Sequence, residues 1–121
     1  MYDNNNIFAL ILKGEIPAKV VYEDDYALAF HDVNPKAPVH VLVIPKGPYI
    51  SFYDFTQKAS AEEMVGLNKA VRCVIDDLNL ASTGFRILSN HGVNGGQEVP
   101  HYHVHIFGGR KLGPMLCENA S

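Results

Sequence analysis

The chain has 121 residues, of which 47% are hydrophobic and 19% are charged. This length predicts one domain with one core, and the composition argues against disorder. The formal net charge is -3 and Lys and Arg form no block, which argues against a nucleic-acid polymer as partner. Because little charge is available to cover a monomer, we expect some apolar surface to be buried in a homodimer.

Neither a membrane span nor a signal peptide is predicted. No apolar run approaches the roughly 20 residues of a membrane-spanning helix. The first six residues, MYDNNN, lack the basic flank of a signal peptide. We therefore expect a cytoplasmic protein without membrane contact. Cys73 and Cys117 form no CxxC pair, and we expect free thiols, with Cys73 in the core.

The first half of the chain predicts one short helix and three strands. Apolar residues at helical spacing, followed by Gly14, predict a helix over 6–12. Two β-like runs separated by Asp24 and Asp25 predict a hairpin, and a third run is enclosed by prolines. The three strands are predicted at Lys19–Glu23, Ala27–His31 and Val39–Ile44.

The second half predicts one long helix and two further strands. Ser60 and Glu63 form a capping-box pattern, and apolar residues recur at helical spacing over Ala61–Leu78. The two strands and the glycine-containing loop between them are predicted at Phe85–Asn90, Val99–Phe107 and Gly92–Gln97. This order indicates an α+β fold, a five-stranded antiparallel sheet with one short N-terminal helix and one long helix.

Three of the six histidines occur at alternate positions near the end of the chain, at His101, His103 and His105. In a strand, a period of two places all three imidazoles on one face and the residues between them towards the core. Neighbours on that face lie roughly 6.5 to 7 Å apart along the strand, close enough to share one phosphate-sized ligand.

Three interpretations of these histidines compete. A structural role would make their alternation directly after a glycine loop a coincidence. Zinc binding could use His40 as a further ligand, but no acidic or cysteine residue has a matching spacing. Nucleophilic catalysis uses a neutral imidazole to attack phosphorus, while neighbouring imidazoles and backbone N–H groups stabilise the negative charge that develops.

The segment 101–107, HYHVHIF, resembles the His-φ-His-φ-His-φ-φ signature of the histidine-triad (HIT) superfamily of nucleotide hydrolases and transferases. The resemblance covers nearly the whole chain and is to the Hint branch. It also includes GEIPAK at 14–19, EDD at 23–25, AFHDV at 29–33, the segment 35–40, VIPK at 43–46, GGQ at 95–97 and GGR at 108–110. This branch contains purine nucleoside phosphoramidases, which are homodimers with an α+β fold and no catalytic metal.

The resemblance implies catalytic roles for four histidines. His103 matches the nucleophile that forms a covalent nucleotidyl-histidine intermediate. The backbone carbonyl of His101 would hold the Nδ1 proton of His103 and leave Nε2 free to attack. His105 and His40 match residues that support the phosphate and proton transfer.

The resemblance also implies a nucleotide pocket. Asp32 matches the carboxylate that binds the ribose hydroxyls, although it could instead start a turn before Pro35. The positions that match contacts to the phosphate or leaving group are Asn90, Gly96, Gln97 and Glu98. The positions that match the purine surroundings, some of which would otherwise be core residues, are Ile7, Phe8, Ile11, Phe30, His31, Val33 and Leu42. Glu98 stands where some Hint proteins carry Ser.

We therefore expect a hydrolase that cleaves the P–N bond of purine nucleoside 5'-phosphoramidates, of the AMP-amine or AMP-lysine type, and releases AMP. No metal or other cofactor is expected. The alternatives are a dinucleoside-polyphosphate hydrolase of the same superfamily and a non-catalytic nucleotide- or zinc-binding dimer. We expect one HIT domain over 1–121, in which 109–121 is a C-terminal tail near the partner subunit's active site.

Overall fold

The computed structural model describes residues 1–117. This part of the chain forms four helices and five strands. In chain order they are α1 (Ile7–Leu12), β1 (Val20–Glu23), β2 (Ala27–His31), β3 (Val39–Pro45), α2 (Phe52–Lys58), α3 (Ala61–Asp77), β4 (Arg86–Leu88), α4 (Gly92–Gly95) and β5 (Val104–Gly108).

The five strands form one antiparallel sheet in the order β1-β2-β3-β5-β4. This confirms the predicted α+β architecture. Strand β3 lies at the centre, where Leu42 pairs with Phe30 of β2 on one side and with His105 of β5 on the other. The register therefore brings β2, β3 and β5 together as the floor of one surface.

The central strands present different chemistry on their two faces. Val41, Val43, Val104 and Ile106 belong to the main apolar core, which includes the buried face of α3. Residues at the alternate positions face the other side, where a smaller apolar cluster forms beneath α1. That cluster consists of Phe8, Leu28, Phe30, Leu42 and Ile44. The predicted inward orientation of the residues between the histidines is confirmed.

Helix α3 begins at the predicted residue. The Ser60 hydroxyl accepts a hydrogen bond from the Glu63 N–H, and the Glu63 carboxylate accepts one from the Ser60 N–H. Inside this helix, a Cβ on Gly66 would lie 2.5 Å from the Tyr26 ring. A side chain there would therefore force the β1–β2 turn away from α3.

Several local predictions are wrong. Helix α2 is absent from the predicted elements, because its residues FYDFTQK have modest helix propensity and the burial of Phe55 stabilises it. Strand β5 begins at Val104 instead of Val99, since the preceding segment bonds to a loop through Tyr102 N–H and the Tyr49 carbonyl. Part of the predicted glycine loop is the single turn of α4.

Two further expectations concern the cysteines and the membrane. Cys73 and Cys117 are free thiols, as predicted, but Cys73 is half-buried and lies beside the core instead of within it. Among residues 1–117, no helix combines the length and hydropathy needed to cross a membrane.

Candidate active site

A cavity of about 440 Å³ lies on the histidine-bearing face of the sheet. Its floor comes from β2, β3 and β5, one wall comes from α1, and the loop after β4 closes another side. Three of the four histidines predicted to be catalytic line it: His40, His103 and His105. Eleven of the predicted nucleotide-binding residues also line it: Ile7, Phe8, Ile11, Phe30, His31, Asp32, Val33, Leu42, Asn90, Gly96 and Glu98.

Among residues 1–117, one ring nitrogen of His103 forms a hydrogen bond and the other forms none. Its Nδ1 lies 2.7 Å from the backbone oxygen of His101, and because a carbonyl only accepts, Nδ1 carries the proton. The neutral ring therefore has its lone pair on Nε2. The ring is buried, and the edge-to-face ring of Phe8 lies against it at a centroid distance of 4.9 Å. Burial lowers the pKa of His103, so this neutral form persists below the usual range of histidine.

The side chain of His101 lies outside the cavity. It is fully buried, and its Nε2 donates to the Pro45 carbonyl at 2.9 Å. Its Nδ1 accepts from the Tyr2 hydroxyl at 2.6 Å. Burial lowers the pKa of His101 to about 4, so the ring stays neutral at pH 7. His101 therefore reaches His103 through its backbone carbonyl, while its ring bonds to Pro45 and Tyr2.

Two more imidazoles form a hydrogen-bonded chain whose proton positions follow from its first link. The Lys36 backbone N–H donates to His40 Nδ1 at 3.1 Å, so the proton of neutral His40 is on Nε2. His40 Nε2 lies 2.9 Å from His105 Nδ1, which therefore accepts. The proton of His105 is consequently on its Nε2, a buried atom with no partner among residues 1–117. The chain thus leaves a single unpaired N–H donor at the cavity, 4.9 Å between ring centroids from His103.

Burial keeps this pair of imidazoles uncharged. It lowers the pKa of His105 to about 4 and also lowers the pKa of His40, against the opposing effect of the Asp32 carboxylate. A neutral His105 at pH 7 is a hydrogen-bond donor to an anion and does not bring a full positive charge.

Asp32 is both a turn residue and a cavity residue. Its Oδ1 accepts the Asn34 N–H at 2.8 Å, which is the turn that the sequence left open as an alternative. Its Oδ2 lies 3.4 Å from His40 Nε2. Ligand atoms of Asp32, His40 and His105 lie within 4.8 Å of one another and could hold a metal ion. The sequence offered no acidic ligand by spacing, and the fold brings one to the histidines.

Gln97, the remaining predicted nucleotide-binding residue, does not line the cavity. The Gln97 amide donates to the Ile50 and Val99 carbonyls at 2.7 and 3.0 Å, and its oxygen accepts the Gly92 N–H at 3.3 Å. Gln97 therefore braces the loop that carries Asn90, Gly96 and Glu98 to the cavity. In the same loop His91 Nδ1 lies 2.6 Å from the buried Ser51 hydroxyl.

Sequence reasoning missed several residues of the site. The additional lining residues are Ile16, Pro17, Ala18, Asn34, Lys36, Leu88, Val99 and Phe107. Leu88 and Phe107 share the histidine face by the period of two, which could have identified them. Tyr2 is separated from His101 by 99 residues, and no local pattern indicates their contact.

Comparison with known proteins agrees with this geometry. The HIT domain family model matches residues 13–112. An uncharacterised HIT-like protein of Azospirillum brasilense is 56% identical over 97% of this chain and 96% of its own. The purine nucleoside phosphoramidase of Escherichia coli is 41% identical over 92% of each chain.

Solved structures show the same relationship. A HIT family hydrolase from Clostridium thermocellum has a TM-score of 0.86 and 38% identity, covering 95% of this chain and 99% of its own. A histidine triad protein from Clostridium difficile has a TM-score of 0.83 and 41% identity, with coverage of 96% and 100%. The histidine motif, the sheet that positions it and these matches together show that this chain belongs to the HIT family.

Proposed function

We propose that this protein is a purine nucleoside phosphoramidase. It hydrolyses the P–N bond of nucleoside 5'-phosphoramidates and releases AMP and an amine. The observation that carries the proposal is the fixed protonation of His103, whose Nδ1 proton is bound to the His101 carbonyl while Nε2 carries a lone pair. The relationship to the Escherichia coli phosphoramidase supports the choice of substrate.

In the first step, the Nε2 lone pair of His103 attacks the α-phosphorus and the P–N bond breaks. The departing nitrogen keeps the electron pair of that bond and leaves as an amine with a proton taken from solvent. His105 donates its Nε2–H to a phosphate oxygen, where negative charge increases. The His101 carbonyl stabilises the positive charge that His103 acquires.

In the second step, a water oxygen attacks the phosphorus of the histidine-bound AMP from the side opposite His103. The bond between phosphorus and Nε2 breaks, its electron pair returns to the imidazole as the lone pair, and the proton that the attacking water loses passes to solvent. Two successive inversions retain the configuration at phosphorus overall. The ribose hydroxyls are held by Asp32 and the purine lies among the apolar residues of α1, β2 and β3.

Glu98 supports a preference for substrates whose leaving group carries an amine. Its carboxylate lines the cavity close enough to His103 to raise the pKa of that ring, against the larger effect of burial. A negative charge at this position favours a leaving group that carries an amine, such as the AMP-lysine type.

The proposal is tested by steady-state kinetics with adenosine 5'-phosphoramidate, AMP linked to the lysine amine, and diadenosine polyphosphates. We expect the two phosphoramidates to have the higher kcat/KM. A preference for the polyphosphates would identify a dinucleoside-polyphosphate hydrolase, and no release of AMP from any of them would identify a binding protein. Protein dialysed against EDTA is included because of the Asp32, His40 and His105 cluster, and its rate should be unchanged.

We further propose a homodimer formed through the sheet edge at β4. Within residues 1–117 this strand pairs only with β5, and Phe85 and Ile87 beside this edge are exposed, as is Val65 on α3. Light scattering at micromolar concentration should give twice the mass of 13.4 kDa, and the mass of a monomer would contradict the proposal.

A further inference from the structure

Tyr2, near the start of the chain, is connected to the candidate nucleophile through one intervening residue, His101. Its hydroxyl lies 2.6 Å from His101 Nδ1, and its ring meets the His101 ring edge-on at a centroid distance of 5.6 Å. The backbone oxygen of the same His101 accepts the Nδ1 proton of His103 at 2.7 Å. We propose that Tyr2 is a positioning residue, which keeps His103 in the tautomer that attacks by fixing the ring and backbone of His101.

Tyr2 is itself held in place by an ordered turn. The Asp3 carbonyl accepts both the backbone N–H and the side-chain amide of the buried Asn6, at 3.2 and 2.7 Å. The Asp3 carboxylate accepts the Asn5 N–H, and the Asn6 side chain caps α1 by accepting the Ala9 N–H. Because α1 also supplies the Phe8 ring that lies against His103, this turn ties the N-terminal residues to the same site.

The tautomer of His101 sets the direction of its bond with Tyr2. The Pro45 carbonyl only accepts, so the His101 proton is on Nε2 at 2.9 Å, and Nδ1 accepts the Tyr2 O–H. With the opposite tautomer, Nε2 and the Pro45 oxygen would both be acceptors and would repel each other. Both nitrogens of the fully buried His101 ring are therefore held by hydrogen bonds, Nδ1 by Tyr2 and Nε2 by Pro45 of β3.

These two hydrogen bonds matter because the sheet does not hold the backbone of residues 101–103. Residues 101–103 precede the first residue of β5, so the strand ladder does not fix the His101 carbonyl. The Tyr102 N–H donates to the Tyr49 carbonyl and the Ser89 hydroxyl donates to the His103 carbonyl at 2.7 Å, but neither bond holds the His101 carbonyl. Displacement of the His101 carbonyl would release the proton of His103, which could then move to Nε2 and occupy the lone pair needed for attack.

The variant that tests the proposal is Tyr2→Phe, which keeps the ring and removes only the hydroxyl. Tyr26→Phe is a matched control, since it removes a tyrosine hydroxyl that donates to Glu62 at 3.1 Å, away from the cavity. The ring-nitrogen chemical shifts of His101 and His103 report the tautomers directly in both proteins and need no substrate. We expect His103 to be the Nδ1–H tautomer in the wild type and in Tyr26→Phe, and a mixture of tautomers in Tyr2→Phe.

The kinetic part of the test rests on the proposed phosphoramidase function. In Tyr2→Phe we expect kcat for adenosine 5'-phosphoramidate to fall about tenfold while the Kd for AMP changes less than about twofold. Wild-type His103 shifts in Tyr2→Phe would overturn the proposal whatever the rate, and so would an unchanged kcat in an active enzyme. If the wild type has no phosphoramidase activity, the function fails and the nitrogen shifts alone decide the role of Tyr2.

Discussion

The two faces of the central strands share one backbone and one hydrogen-bond ladder but differ in what they contribute. On the α3 face, Val41, Val43 and Ile106 are fully buried apolar residues. On the α1 face, the alternate positions carry His40 and His105, and the cavity lies above them. Because side chains alternate strictly along a strand, stability and chemistry are separated by a single residue step. A substitution on the α3 face should therefore mainly lower the stability of the fold, and one at the next position, on the cavity face, should mainly lower the reaction rate.

The largest effect should come from the cavity side. His103→Ala is expected to lower kcat about a thousandfold or more, because the covalent step loses its nucleophile. The free energy of unfolding should change little, since the imidazole makes one side-chain hydrogen bond. Steady-state kinetics and urea unfolding measure the two quantities. Retention of a tenth of the wild-type kcat would remove His103 from the role of nucleophile.

The matching change on the opposite face is Ile106→Ala, one residue from His105. Ile106 is fully buried in the main core. Its truncation should lower the free energy of unfolding by about 2–5 kcal/mol, because apolar contacts are lost and a cavity remains. The folded protein should keep its kcat within about twofold. A large loss of kcat at a temperature where the variant is folded would show that the faces are coupled.

The sequence predictions that succeeded depend on local patterns, and those that failed depend on contacts between residues far apart in the chain. The period of two correctly predicted which residues of 103–107 face the core and which face the cavity, because pleating needs only local geometry. It failed at His101, which precedes β5 and whose ring lies outside the cavity. Helix α3 was predictable because its capping box and apolar spacing are also local. Helix α2, the side-chain contacts of Gln97 and the Tyr2 contact depend on residues far apart in the chain, which no local pattern contains.

The buried histidines predict a pH dependence of stability. The pKa of His101 is lowered to about 4 by burial, whereas the unfolded chain has an ordinary value of about 6.5. Between these values the unfolded state binds more protons, so stability falls as the pH drops from about 6.5 to about 4. The loss from His101 should be on the order of 3 kcal/mol.

Urea midpoints at pH 7 and pH 4.5 measure this loss. His101→Gln should show a weaker pH dependence than the wild type, from a lower stability at pH 7. His31→Gln, which removes an exposed imidazole, is the control and should retain the full dependence. If the urea midpoint changes equally with pH in all three proteins, His101 is not the source of the pH dependence.

A smaller effect is expected at Asp32, the residue proposed to bind the ribose. Asp32→Asn should raise KM for ribose substrates about tenfold, and raise it less for 2'-deoxyribose substrates, because an amide accepts with only one oxygen. The turn to Asn34 can survive, since the remaining amide oxygen can still accept its N–H. Comparison of KM for the two sugars checks this prediction. Equal increases would mean that Asp32 acts only through the turn.

The smallest effect should come from the tail. Arg86 of the edge strand β4 donates to the Gly113 and Pro114 carbonyls at 2.9 and 3.2 Å, which holds the tail against that edge. Truncation after Arg110 should change selectivity among amines by a few-fold and leave the minimal phosphoramidate nearly unaffected. Unchanged amine selectivity in a dimeric truncated protein would exclude this role of the tail. Residues 118–121 lie outside the described part of the chain.

The unpaired donor on His105 also makes the fold sensitive to its ligand. A buried N–H without a partner costs about 1–3 kcal/mol, and an anion that accepts from it removes that cost. Nucleotide and folded protein should therefore stabilise each other, so that AMP raises the Tm by more than an equal concentration of adenosine. Protein that has bound AMP would then resist unfolding and proteolysis better than the free protein, and under the proposed function the product concentration would influence how long the molecule survives.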